Sequence, residues 1–239
     1  YSGLGKPAEG GVYTGLMIGL IVLGSALSAV AAWTLAVVRL GRTGGTVLAI
    51  AVGTAAAVIY RVRVRPWHLR WGATDEELTR PMPGDGLLPG SESATRAITI
   101  KASPAAVWPW LVQLGYGRAG WYSYDWIDND FRPSADRIVP ELQRLKAGDR
   151  ILMMPSMGFE VKSVDEPRSI VSLLEDGSTS WCLALYPAGN GNTRLVSRWR
   201  PRFERSVAMF FMNLLVEPGT FLMEQKMLRT IRDRAESAS

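Results

Sequence analysis

The sequence predicts an α+β protein in which an antiparallel sheet wraps around a long C-terminal helix, preceded by a transmembrane helical hairpin. Three observations carry this reading. Two early stretches hold no charge at all, Gly11 to Val38 over 28 residues and Thr43 to Tyr60 over 18. Five successive runs of strand length between Arg150 and Arg200 are broken by turn residues such as Asp176-Gly177 and Asn190-Gly191. The segment from Glu217 then places Phe221, Leu222, Met223, Met227, Leu228 and Ile231 on the apolar face of a final helix.

The charge distribution separates two regions. Of 239 residues, 47% are hydrophobic and 21% charged, which excludes a disordered chain. The net charge of +5 arises before Pro66, where Lys6, Arg39, Arg42, Arg61, Arg63 and Arg65 face Glu9 alone, and the later charges cancel. Nucleic acid is therefore not an expected partner, because the basic excess belongs to membrane flanks rather than to a folded surface. Arg61, Arg63 and Arg65 are the expected headgroup contacts. One cysteine, Cys182, and one histidine, His68, exclude a disulfide framework and the usual zinc spacings. No metal and no cofactor are expected.

About 20 apolar residues cross a bilayer, so both charge-free segments are read as spans, forming a hairpin over residues 11–62 after a tail at 1–10. The link Arg39 to Gly45 is short, glycine-rich and charged. Small residues recur every fourth position, as Gly11, Gly15 and Gly19, then Gly24, Ser28, Ala32 and Ala36, and again as Gly45, Ala49, Gly53 and Ala57. Such stripes let helices approach closely, either within the hairpin or against a partner membrane protein. The arginine bias places both termini and the following domain in the cytoplasm, on a multi-pass protein of the inner membrane. His68, eight residues beyond the second span, is read as a headgroup contact.

Residues 63–95 are rich in proline and glycine and read as an extended juxtamembrane linker. The regular domain occupies 96–237. Ala97 to Ala102 alternates as a strand, and Ser103-Pro104 caps a helix that ends at Gly115. Gly115 to Gly120 matches GxGxxG, but the glycines end a helix instead of opening one, so they form no dinucleotide site. A short helix is expected near Pro140 to Leu145, before the strands.

Strand, helix, antiparallel strands and a closing helix follow the order of the helix-grip fold. The stretches WGATDEEL (71–78), PGDGLLPG (83–90), ASPAAVWPWLVQLG (102–115), GWYSYDWIDN (120–129), ADRIVPELQRLKAGD (135–149) and VEPGTFLMEQKMLRTIRDRAE (216–236) resemble bacterial members of the SRPBCC superfamily. That group includes START-like lipid-transfer domains, polyketide cyclases and the Bet v 1 type. The resemblance spans about residues 66–237 and implies a helix-grip domain with an internal cavity.

Within such a cavity, Tyr122, Tyr124 and Asp125 are read as its polar end or as loop packing, and Arg198 as its cation or as a surface charge. Trp110 and Trp181 are read as its lining, and Met153, Met223 and Met227 as lining or as ordinary core. Asp125, Asp128 and Asp130 lack the glycine and glutamate of a calcium loop, and Cys182 is read as structural. Ser206 to Val216 is apolar all round and too short to span. It rests either on the bilayer surface, with Phe210 and Phe211 in lipid, or against its own sheet.

Three functions are compatible with these features. The first is a membrane-anchored START-like protein holding a lipid-like or polyketide-like ligand. The second is an accessory subunit of a membrane complex, for which the glycine stripes speak. The third is a cyclase or dehydratase with Asp125 and Tyr124 as acid and base. The absence of histidine from the domain proper favours binding over catalysis.

Overall fold

The computed structural model describes residues 10–202 and 207–237, with side chains from Ser28 to Arg202 and from Val216 to Ser237. The chain divides between His68 and Leu69 into two compact units.

In the first unit, α1 runs from Gly10 to Ile59 and leaves helical geometry at Gly41 alone, with φ 74° and ψ 168°. Trp33 Nε1 donates to Thr46 Oγ1 at 3.3 Å, although a straight helix would hold these residues about 20 Å apart at 1.5 Å per residue. The chain therefore bends back on itself at one glycine, a tighter link than the seven residues expected. Gly45 packs at the bend, where a β-carbon would lie 2.6 Å from the Val37 backbone nitrogen. Positions 11–24, where the first small-residue stripe begins, lie outside the described side chains. The helical stretch Ser28–Leu69 is long and apolar enough to cross a membrane, and its most apolar part is not buried.

A π-helical turn, Tyr60–Val64, leads into α2, Arg65–Leu69. Arg61 and Arg63 are exposed there, and Arg65 is half-buried. His68 is only 1% exposed, and its Nε2 lies 3.0 Å from the Tyr60 hydroxyl. It is an interior hydrogen-bonding group, not the headgroup contact expected.

The second unit is built on a six-stranded antiparallel sheet in the order β1-β6-β5-β4-β3-β2. The strands are β1 (Ala94–Ile100), β2 (Arg150–Met154), β3 (Met157–Asp165), β4 (Ser169–Leu174), β5 (Thr179–Pro187) and β6 (Thr193–Pro201). Alternation gives each strand two faces. The inner face contributes Ile100, Phe159, Ile170, Trp181, Leu183 and Leu195 to the main core. Val107, Trp110 and Leu111 join it from α4 (Pro104–Val112), and Met227, Leu228 and Ile231 from α6 (Val207–Ser237). Ser103 accepts from the Ala106 amide, which caps α4 as its sequence requires.

The closing helix starts at Val207 rather than at Glu217 and runs through Pro218. Ser206 to Val216 is therefore mostly the first part of this helix and not a separate element. The Phe210 and Phe211 side chains lie outside the described residues.

The linker expected over 63–95 is not extended. Thr74 and Glu77 form a reciprocal capping box on α3 (Asp75–Thr79), and a 3-10 turn follows at Asp85–Leu87. This segment covers the outer face of the sheet, where Met82 packs with Ala97, Val171, Cys182, Ala184 and Val196. Gly84 lies so close to the sheet, at φ 84°, that a β-carbon would sit 2.5 Å from Val171 Cγ1. The Trp71 carbonyl accepts from Ala97 N at 3.1 Å, which occupies a backbone donor of edge strand β1. Burial pushes the Cys182 thiol up to about 12, as befits a structural cysteine.

Candidate ligand site between the sheet and the C-terminal helix

Cross-strand pairing places Trp181 of β5 opposite Trp199 of β6, and their rings stack with centroids 4.8 Å apart. Phe159 of β3 lies 5.7 Å from Trp181 and 5.6 Å from Trp199. Trp121, from the loop after α4, approaches Trp181 to 5.8 Å. Four aromatic rings thus gather on the inner face.

A polar chain runs out of this cluster. Trp181 Nε1 donates to Ser197 Oγ at 2.9 Å, and Ser197 donates in turn to the Glu224 carboxylate of α6. Glu224 pairs with Arg96 of β1, and the two are 6% and 4% exposed. The Arg96 guanidinium also lies 5.3 Å over the Phe221 ring. A buried ion pair is tolerated only with its hydrogen bonds in place, which Ser197 helps to supply.

A second polar cluster surrounds Gln113. Its amide donates to the Tyr122 hydroxyl at 2.7 Å and to the Arg137 carbonyl at 3.1 Å, and accepts from Val139 N and Gln143 Nε2. Burial pushes the Tyr122 phenol up to about 12, against the Gln113 hydrogen bond and the nearby Arg234 charge. The Arg234 guanidinium sits 4.3 Å over the Tyr122 ring and 5.6 Å over that of Trp110.

The loop from Gly115 to Ser134 closes over these groups. The glycine motif forms an isolated bridge, Gly115 to Gly120, while Arg118 donates to the Val112 and Leu114 carbonyls at the end of α4. This is helix-end chemistry and not a phosphate cradle. Asp125 begins the short helix α5 (Asp125–Asp128) and accepts from both the amide and the hydroxyl of Ser134. The carboxylate read as a catalytic acid is thus a loop fastener. Tyr124 is half-buried beneath the Lys226 ammonium, 4.3 Å from its ring. Asp128, in contrast, is pushed up to about 7 by burial and by its neighbour Asp125.

Trp110, Tyr122, Trp181 and Met227 are buried in the inner-face core, and Met153 packs against it half-buried. Met223 is half-buried on α6. Arg198 is elsewhere. It lies on the outer face, paired with Asp85 at 2.8 Å and donating to the Thr95 hydroxyl and the Arg80 and Glu77 carbonyls. It is not a cavity cation, because strand alternation turns it away from Trp181 and the lead-in consumes its donors. The buried charge of the inner face is Arg96, which sequence reasoning missed by starting β1 at Ala97. Beginning the strand at Ala94 puts Arg96 in register with Ile98 and Ile100. Glu224, three residues after Phe221 and seven before Ile231, carried a comparable signal as a carboxylate on an apolar helical stripe.

Six antiparallel strands with β1 beside β6, a helix between β1 and β2, and a closing helix on the inner face define a helix-grip domain. No family model and no curated protein matches the chain. Solved structures similar to it include a self-sacrificing resistance protein, CalC from Micromonospora echinospora, at 16% identity and TM-score 0.42, covering 62% of this chain and 97% of that one. Others are the KanY protein, at 16% and 0.41, covering 62% and 99%, and a Polyketide_cyc-like protein from Corynebacterium glutamicum, at 17% and 0.31, covering 63% and 90%.

Proposed function

We propose that the sheet-and-helix unit is a binding module that holds a small hydrophobic ligand on its inner face, beside the Trp121, Phe159, Trp181 and Trp199 rings. The observation that carries this reading is the Arg96–Glu224 pair, buried and linked through Ser197 to the Trp181 indole of that aromatic cluster. Such polar groups within an aromatic surround fix the orientation of a bound molecule. The apolar N-terminal helix anchors the module, folding back at Gly41 into two passes of the inner membrane. Its exposed Val30, Trp33, Leu35, Val47, Ile50 and Val52 require lipid around them. The arginines at 61, 63 and 65 favour a cytoplasmic module.

Binding is preferred to cyclase or dehydratase chemistry because Asp125 is engaged by Ser134. It is preferred to an accessory-subunit role because Gly45 of the second stripe meets Val37 of the same chain. The test is titration of the full chain in nanodiscs with N-phenyl-1-naphthylamine. Saturable binding with at least about a tenfold loss in Trp181→Ala is expected, the loss of a large buried anchor. A non-saturable signal equal to that of empty nanodiscs would overturn the reading.

A further inference from the structure

The loop after α4 is acidic in sequence, with Asp125, Asp128 and Asp130 within six residues, yet its outward surface is not. Asp125 accepts from Ser134, the Tyr116 hydroxyl donates to Asp130, and both Asp128 carboxylate oxygens are buried. Trp126, at 40% exposure, and Phe131, at 63%, face outward instead. Asp130 and Phe131 both hold a positive φ, 52° and 61°, which bulky side chains seldom adopt. The Phe131 amide donates to the Asp125 carbonyl at 2.8 Å and so turns the chain back beside the start of α5. Helix α6 continues this surface. Leu222 is 52% exposed, and the exposed Lys226 and Arg229 follow it on the same helical stripe. Lys226 Nζ lies 4.3 Å over the Tyr124 ring, and Tyr124 meets Trp126 edge-on at 6.5 Å, so loop and helix form one patch. Arg132, next to Phe131, is exposed as well. Among the described residues no salt bridge ties down Arg132, Lys226 or Arg229.

We infer that Trp126, Phe131 and Leu222, ringed by Arg132, Lys226 and Arg229, dock the sheet-and-helix unit on the anionic lipid headgroups of the bilayer that anchors the chain. This rests on the anchoring proposed above and is independent of any ligand. Exposed apolar patches rimmed by polar groups mark contact surfaces. Aromatic tips among cations without counter-charges suit a bilayer surface, where rings sit at headgroup depth and Lys and Arg meet anionic lipid. The anchor holds the unit at a high effective concentration near that surface, so a shallow contact suffices. A second copy of the chain suits the patch less well, because a two-fold interface would set its three cations against their own counterparts.

The experiment places the full chain in phosphatidylcholine nanodiscs with or without phosphatidylglycerol. One spin label at a time is attached in Trp126→Cys, Phe131→Cys or, on the exposed β5–β6 turn, Ala188→Cys. The native Cys182 is buried and does not compete for the label. Power saturation compares collisions with oxygen, which concentrates in lipid, and with a nickel chelate, which stays in water. With anionic lipid present, the labels at 126 and 131 should favour oxygen and the label at 188 nickel. Lys226→Glu combined with Arg132→Glu should abolish the oxygen preference at 131, as should omission of phosphatidylglycerol. Nickel access at 131 equal to that at 188, or an oxygen preference that the charge reversals leave unchanged, would overturn the inference with the anchor still in place. Shielding of the 131 label from both reagents would reveal a protein on the patch and overturn it too. Failure of the chain to enter nanodiscs would sink the anchoring itself, and the inference with it.

Discussion

Arg198 of β6 and Asp85 of the lead-in meet at 2.8 Å, and this pair fastens residues 70–91 to the outer face of the sheet. The fastening has three parts. Arg194 grips both oxygens of Glu77 at 2.7 and 2.8 Å, and Arg200 reaches the second oxygen of Asp85 at 3.3 Å. Burial alone would raise the Glu77 carboxyl, but hydrogen bonds from Arg194 and Thr74 outweigh it and hold it below its ordinary range.

Arg198→Met should therefore destabilise the domain by about 3–5 kcal/mol, because it leaves the Arg80 and Glu77 carbonyls without their donor and Asp85 with Arg200 as its remaining counter-charge. For a unit of this size the melting temperature should fall by roughly 10 °C. Calorimetry checks this. A change within about 1 °C would mean that the lead-in contributes nothing to stability.

The same fastening sets the boundary of the folding unit. A fragment of residues 69–237 should unfold cooperatively in urea, whereas one of residues 97–237 should be unfolded or aggregated. The shorter piece loses half of β1, the partners of Arg194 and Arg198, and the Trp71 carbonyl that occupies the Ala97 amide. Circular dichroism with denaturant titration distinguishes the two outcomes.

Glu224→Leu should cost about 3–5 kcal/mol by stranding Arg96 without its counter-charge. The double variant Arg96→Met with Glu224→Leu should recover most of that loss, since two apolar side chains can replace a buried pair. A double variant as unstable as the single would show that Ser197, left without its acceptor, dominates the effect.

Asp128 makes stability depend on pH. Burial, and then Asp125, raise its folded value to about 7 from the ordinary 3.8, so the folded state binds the proton more tightly than the unfolded chain does. Its contribution is complete below about pH 4 and is lost as pH rises through 7. Asp128→Asn should remove this slope and stabilise the domain at pH 8 by roughly 2–4 kcal/mol, at about 1.4 kcal/mol per pKa unit. Urea midpoints at pH 5 and pH 8 for both proteins supply the check.

Much of the fold was legible because its signals are local. Ser103-Pro104 caps α4, Asp176-Gly177 and Asn190-Gly191 punctuate the strands, and the absence of charge marks the apolar helix. The capping box at Thr74 and Glu77 was equally local, a Thr-x-x-Glu pattern hidden by the surrounding prolines and glycines. The start of α6 was misplaced because Pro218 looked like a first-turn residue and lies well inside the helix instead.

The sequence alone determined the order of the strands and of the helices that precede and close them, the neutrality of the second unit and the alternation of β6, because periodicity and charge are properties of neighbours along the chain. Which face meets what was decided only by the tertiary structure. Alternation put Arg198 and Trp199 on opposite sides, but nothing along the chain said that residues 70–91 would cover the arginine side. Nor did it say that Glu224 would reach across 128 residues of sequence to Arg96. Those pairings are long-range, and a buried charge finds its partner through the packing of the sheet on its helix rather than through any spacing a sequence displays.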